Sequence, residues 1–316
     1  MVSAADPQLS PKPDHKSPYE QTVITEATRP LWLQRLYPFE PKRFDTGCGE
    51  LSYLDEGEGD EAVVMVHGNP TWSFYYRNVV LGLRGKIRCI VPDHLGCGLS
   101  DKPQDFNYTL AEHIKNLRAL IDHLNLRRIH LIVHDWGGPI GLGSGLLKPD
   151  QLGRVIILNT AAFADSIVPW RIRLCRIPML GEWLVRTFNA FAWPATWMAV
   201  TRPLNRDLKR AYLYPYNNWH NRIATHRFVQ DIPTGKQHPS DSTLQMIESR
   251  LRLLRDKPVR ILWGAQDFCF NYHYYNRWRV LLPNAEADYL EEAGHYILED
   301  ADHYCRQEIE RFLGLD

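Results

Sequence analysis

Asp135 has the strongest chemical setting of any residue in this sequence. It lies in Val133-His134-Asp135-Trp136-Gly137-Gly138-Pro139, directly after the apolar run Ile129 to Val133 and before an apolar, Gly-rich stretch. A strand, a tight turn with a nucleophile at its apex and a helix that begins with small residues form a nucleophile elbow. Glycines after the turn let the helix approach the strand, while the apex residue is held in a strained conformation. In the Gly-x-Ser-x-Gly form a serine takes the apex; here an aspartate does, and Val133 replaces the first glycine. The exchange changes the chemistry. A serine alkoxide attacks acyl carbon, whereas a carboxylate suits displacement at saturated carbon and leaves an alkyl ester on the enzyme. Water can cleave that ester at its carbonyl, given a general base and an oxyanion hole.

The base follows from chain order, since folds with such an elbow run nucleophile, acid, histidine. Of thirteen histidines, only His295 and His303 follow the last strand pattern, Ala287 to Leu290, and the Gly294-His295 context favours His295. The acid belongs after the sixth or the seventh strand. After the sixth comes Leu158-Asn159-Thr160-Ala161-Ala162-Phe163, with no carboxylate before Asp165; after the seventh, Gly264-Ala265-Gln266-Asp267 ends in one. Asp267 is therefore assigned to orient His295, against the plainer reading of a turn-capping aspartate. The oxyanion donors expected are the backbone N–H groups of Trp136 and of Asn69, which lies in the loop Val66-His67-Gly68-Asn69-Pro70. Their indole N–H and amide NH2 also suit a departing anion. The glycines of Pro92 to Asp101 read as a structural turn, because a phosphate loop needs a third glycine and an opening helix.

These groups need a scaffold that brings distant turns together. Short apolar runs bounded by turn residues lie at Leu51 to Leu54, Ala62 to Val66, Cys89 to Val91, Ile129 to Val133, Val155 to Leu158 and Val259 to Trp263, and the later ones show little alternation, as parallel strands covered on both faces do. Helical stretches such as Leu110 to Leu124 separate them, so an α/β doubly wound, mostly parallel sheet is expected. The expected organisation is a core of residues 29–162 and 233–316, a helical cap of residues 163–232 inserted after the sixth strand, and a disordered arm of residues 1–28. The cap segment holds five of the ten tryptophans (Trp170, Trp183, Trp193, Trp197, Trp219), read as lid packing with some residues lining a pocket. Arg171, Arg173, Arg176 and Arg186 alternate with apolar residues there and read as a solvated lid face rather than a partner or membrane surface.

Composition narrows the partners. Lys+Arg and Asp+Glu both number 37, with no basic stripe, so nucleic acid is not expected. Six cysteines without a CxxC pair, no apolar leader and no run of the ~18 apolar residues needed to span a bilayer point to a cytoplasmic protein without a transmembrane segment. No cofactor or metal is implied. A small hydrophobic substrate is expected, and a homo-oligomer is compatible with the sequence.

From about Gly49 to the C-terminus the chain resembles the haloalkane dehalogenases, on His67-Gly68-Asn69-Pro70, Asp135-Trp136-Gly137-Gly138, Asp267 and Gly294-His295. The resemblance implies an α/β-hydrolase fold in which Asp135 displaces halide, His295 activates water, and Asn69 and Trp136 hold the halide ion. Asp267 after the seventh strand, with Asn69, is similar to that family's third branch. That branch overlaps the β-lactone decarboxylases of bacterial long-chain olefin biosynthesis, which Phe188-Asn189-Ala190-Phe191 and Asn221-Arg222-Ile223-Ala224-Thr225 also resemble. There the aspartate opens a four-membered lactone, and loss of CO2 gives a cis-alkene. Haloalkane hydrolysis is the main expectation and lactone decarboxylation the alternative; the motifs are common to both. Epoxide hydrolysis would need two lid tyrosines from Tyr212, Tyr214 and Tyr216, and the non-enzyme alternative is a ligand-binding receptor on the same fold.

Overall fold

The computed structural model describes residues 29–165, 168–233 and 237–316. The expected arm, 1–28, lies outside them. Eight strands form one sheet: β1 (Lys42–Asp45), β2 (Glu50–Glu56), β3 (Glu61–Val66), β4 (Arg88–Pro92), β5 (Arg128–His134), β6 (Leu152–Leu158), β7 (Val259–Gly264) and β8 (Glu286–Leu290), in the order β1-β2-β4-β3-β5-β6-β7-β8. The pairs β1/β2 and β2/β4 are antiparallel; all others are parallel. The strand that sequence reading missed is β1. Its Lys-Arg-Phe-Asp has no apolar run, because an edge strand need bury little.

The uniformly apolar central runs resolve into two sets once pleated. Val64, Val66, Leu131, Val133, Ile157 and Ile261 enter one core layer, and Val63, Met65, Ile132, Ile156, Leu158 and Leu262 the other. Successive side chains point to opposite faces and both faces are covered, so every position is apolar.

Register then sets the site. Val66 pairs with Val133, His134 with Leu158, Leu158 with Leu262, and Gly264 with Leu290. The carboxyl ends of β3, β5, β6, β7 and β8 are therefore level, and the turns leaving them meet in the crevice where open α/β sheets bind ligands. Between β6 and β7 the chain leaves the sheet and forms a series of short helices, among them Trp170–Cys175, Ala192–Met198, Arg206–Leu213 and Ile223–Gln230.

Candidate active site

Asp135 stands one residue beyond β5 with φ +52°, and the Gly137–Gly145 helix begins two residues later. Close packing holds this strained turn. A Cβ on Gly137 would collide with the Val66 carbonyl, and one on Gly68 with the Asp135 carboxylate. Thr160, beyond β6, donates its hydroxyl to the Asp135 carbonyl.

The two carboxylate oxygens have different surroundings. Oδ1 accepts the Asn69 backbone N–H at 2.7 Å, and the Trp136 N–H also donates to this carboxylate. Oδ2 lies 3.8 Å from His295 Nε2. One oxygen is thus held by the Asn69 peptide, and the other faces the imidazole across a gap. Burial raises the Asp135 pKa, outweighing His295 and the two N–H donors, which favour the anion.

His295 leaves the turn after β8 and is buried. Its Nδ1 lies 2.7 Å from Asp267 Oδ2. Burial opposes protonation of this ring, yet the charge and hydrogen bond of Asp267, together with Asp135, raise its pKa overall. Asp267 is fixed in turn: its Oδ1 accepts the N–H groups of Cys269 at 2.7 Å and Phe270 at 3.0 Å.

Two supporting residues escaped sequence reading. Asn159, at the end of β6 with φ +29°, donates Nδ2 to Asp267 Oδ2 at 3.0 Å and to the Gly264 carbonyl at 3.0 Å, and its Oδ1 accepts the Gly264 N–H at 2.8 Å. His134 donates Nε2–H to the His295 carbonyl at 2.9 Å and is kept neutral by burial and by the neighbouring His295. The available signal for Asn159 was its place at a strand end where an acid was sought; for His134 there was none beyond adjacency to Asp135. Asn159→Ala should lower kcat by about tenfold to a hundredfold while leaving KM within about twofold, because it loosens the orienting acid without touching the cavity. It should also destabilise the fold by ~2–4 kcal/mol, since the Gly264 peptide loses two buried partners. Steady-state kinetics and urea unfolding check both effects.

The donors expected to receive a leaving group differ from each other. The indole N–H of Trp136, a cavity-lining residue, meets no acceptor among the described residues. The Asn69 amide donates Nδ2–H to the Thr225 carbonyl at 3.1 Å, so the Ile223–Gln230 helix steadies it, and its Oδ1 is buried without a partner.

Above these groups lies a cavity of about 450 Å³. Asn69, Asp135, Trp136 and His295 supply polar atoms on one wall; Phe163, Ile172, Phe191, Met198, Val229 and Phe270 supply apolar walls. Of the five tryptophans between β6 and β7, Trp170 lines the cavity, and all five are exposed. The tyrosines needed by an epoxide hydrolase are engaged elsewhere. Tyr212 donates to Glu299 at 2.5 Å, Tyr216 to the Thr71 carbonyl at 3.3 Å, and Tyr214 packs edge-on against Trp32.

A level set of strand ends that brings Asp135, His295 and Asp267 together at one cavity is the arrangement of an α/β hydrolase, here with an aspartate at the elbow. The chain belongs to the alpha/beta hydrolase fold family, which matches residues 61–302. It is 45% identical to a cis-3-alkyl-4-alkyloxetan-2-one decarboxylase of Xanthomonas campestris pv. campestris, over 88% of this chain and 97% of that one. It is 31% identical to haloalkane dehalogenase 2 of Mycobacterium tuberculosis, over 88% and 96%. Among solved structures, the haloalkane dehalogenase DatA of Agrobacterium tumefaciens superimposes with a TM-score of 0.78 at 24% identity, over 87% of this chain and 96% of that one, a likeness of fold. Among the described residues no helix is long and apolar enough to cross a membrane.

Proposed function

We propose that this protein converts cis-3-alkyl-4-alkyloxetan-2-ones, four-membered β-lactones, into a cis-alkene and CO2. The observation that carries this reading over haloalkane hydrolysis is the higher similarity to proteins named as decarboxylases of that lactone than to a dehalogenase, at equal coverage of the chain. It reverses the order of the two expectations drawn from the motifs.

The site geometry supports a balanced sequence of steps. The Asn69 N–H holds Asp135 Oδ1, and Oδ2, on the side of His295, is the attacking atom. It displaces the ring oxygen at C4, a saturated carbon; the C4–O bond breaks and an alkyl ester forms with a carboxylate on C3. The Trp136 indole and the Asn69 amide are the donors available to that carboxylate. Loss of CO2 then sends the C3–carboxylate electrons into a C3=C4 double bond, and the ester oxygen leaves as the Asp135 carboxylate. No water is consumed. Inversion at C4 places the ester oxygen anti to the carboxylate, and anti elimination from that conformer leaves the two alkyl chains on one side. A cis-lactone gives a cis-alkene. The cavity's apolar walls suit two alkyl chains.

A side-by-side assay with a cis-dialkyl β-lactone and a 1-bromoalkane tests the reading. Alkene and CO2 in equal amounts from the lactone, with kcat/KM at least about a hundredfold above that for bromide release, is the expected result. Bromide release without alkene returns the protein to haloalkane hydrolysis.

A further inference from the structure

The tryptophans between β6 and β7 are the feature that neither the fold nor the site absorbs. Trp170 is 63% exposed, Trp183 54% and Met179, at a left-handed turn, 85%; Leu174, Ile177, Leu180, Phe188, Trp193 and Trp197 are exposed as well. Helical spacing groups them. Trp170 and Leu174 are one turn apart on Trp170–Cys175, as are Trp193 and Trp197 on Ala192–Met198, and Trp183 packs edge-on against Phe188. Soluble surfaces rarely expose so much large apolar area in one segment without something to cover it.

Charge and position identify what covers it. Among residues 168–200, Arg171 and Arg173 are exposed and Arg176 is half-buried, whereas Arg186 is buried and pairs at 2.7 Å with Glu182, the single carboxylate of that segment. A second copy of the same face would bring arginine against arginine, which disfavours self-association. A bilayer rich in anionic headgroups complements both features, since interfacial tryptophans and arginines are the residues that anchor a protein at that depth. The face is also continuous with the cavity, because Trp170 and Leu174 are both exposed and line it.

We propose that the exposed aromatic and basic face of residues 170–197 docks this protein on an anionic lipid surface, so that the cavity mouth opens at the bilayer interface. This inference is independent of which reaction the site performs. A poorly water-soluble substrate of either reaction then reaches the cavity without crossing bulk water.

Vesicle flotation tests it, using the full chain with phosphatidylcholine vesicles and with an equimolar mixture of phosphatidylcholine and phosphatidylglycerol. The wild type should float with the mixed vesicles, less so as salt is raised, and far less with phosphatidylcholine alone. The triple variant Met179→Glu, Trp183→Ser, Phe188→Ser should partition about tenfold more weakly or less, with turnover of a short-chain soluble substrate unchanged. If the triple variant does not fold, Met179→Glu alone should show the same direction. Absence of wild-type flotation, or equal flotation by the variants, overturns the proposal. So does a wild-type dimer that the variants dissociate, because the face then belongs to a second copy.

Discussion

Replacing Asp135 with Asn should abolish turnover of every substrate, lowering kcat/KM by ~10⁵-fold with little change in the fold. The amide keeps the size of the side chain and tolerates φ +52°, which asparagine adopts more readily than most residues. Its oxygen can still accept from the Asn69 and Trp136 N–H groups, but its NH2 is no nucleophile. The loss is therefore one of bond formation, and substrate should still bind. Stability should be equal or greater than that of the wild type. A carboxyl whose folded pKa is raised by burial binds its proton more tightly when folded, so ionising it at neutral pH costs stability, and the amide escapes that cost. The same shift sets the acid limb of the wild-type profile. As pH falls, Asp135 takes up its proton and activity disappears above the ordinary carboxylate range. Measuring kcat/KM against pH, with thermal unfolding of both proteins, checks all three; a variant with residual turnover near the wild type would remove Asp135 from the chemistry.

How much of this site the sequence disclosed depends on what each residue needed in order to be seen. Asp135, Asp267, Asn69 and Trp136 each sit in a turn after an apolar strand and His295 follows the last strand, and turn chemistry with chain order is local information. The structure places those turns together by register, which the apolar runs implied only in outline. Asn159 and His134 were invisible as supports because their roles consist of hydrogen bonds across 105 to 161 positions of sequence. The link from Asn69 to Thr225 is of the same kind, spanning 156 positions. The tryptophans after β6 were assigned to lid packing because composition cannot say which side of a short helix faces outward; in the structure they face solvent. The choice between halide and lactone was out of reach for a different reason. Both reactions use the same attacking oxygen and the same donors, so the motif residues carry no information about which anion leaves.

His295 is where the two reactions part, and His295→Phe should separate them in one experiment. In haloalkane hydrolysis the alkyl ester on Asp135 is cleaved by water, and His295 is the base within reach of that position, its Nε2 facing Asp135 Oδ2. Without it the variant should release one equivalent of bromide per active site and stall, with an alkyl adduct on the peptide that holds Asp135. In the lactone reaction the ester is broken by elimination when CO2 departs, and no base is called on. What His295 supplies there is electrostatic: Asp267 and Asp135 raise its pKa despite burial, and in its protonated form it favours Asp135 as a carboxylate both when attacking and when departing. The variant should lose roughly tenfold to a hundredfold in alkene formation, yet continue through many turnovers with no adduct. Alkene counted per enzyme, and intact-protein mass after each substrate, give the readout. An adduct that accumulates from the lactone, or a β-hydroxy acid in place of alkene in the wild type, would mean that water cleaves the ester in both reactions and that the decarboxylative sequence is wrong. Continued alkene turnover beside a stalled bromoalkane would place the difference between two activities of one fold in the fate of a single ester, the one formed on Asp135.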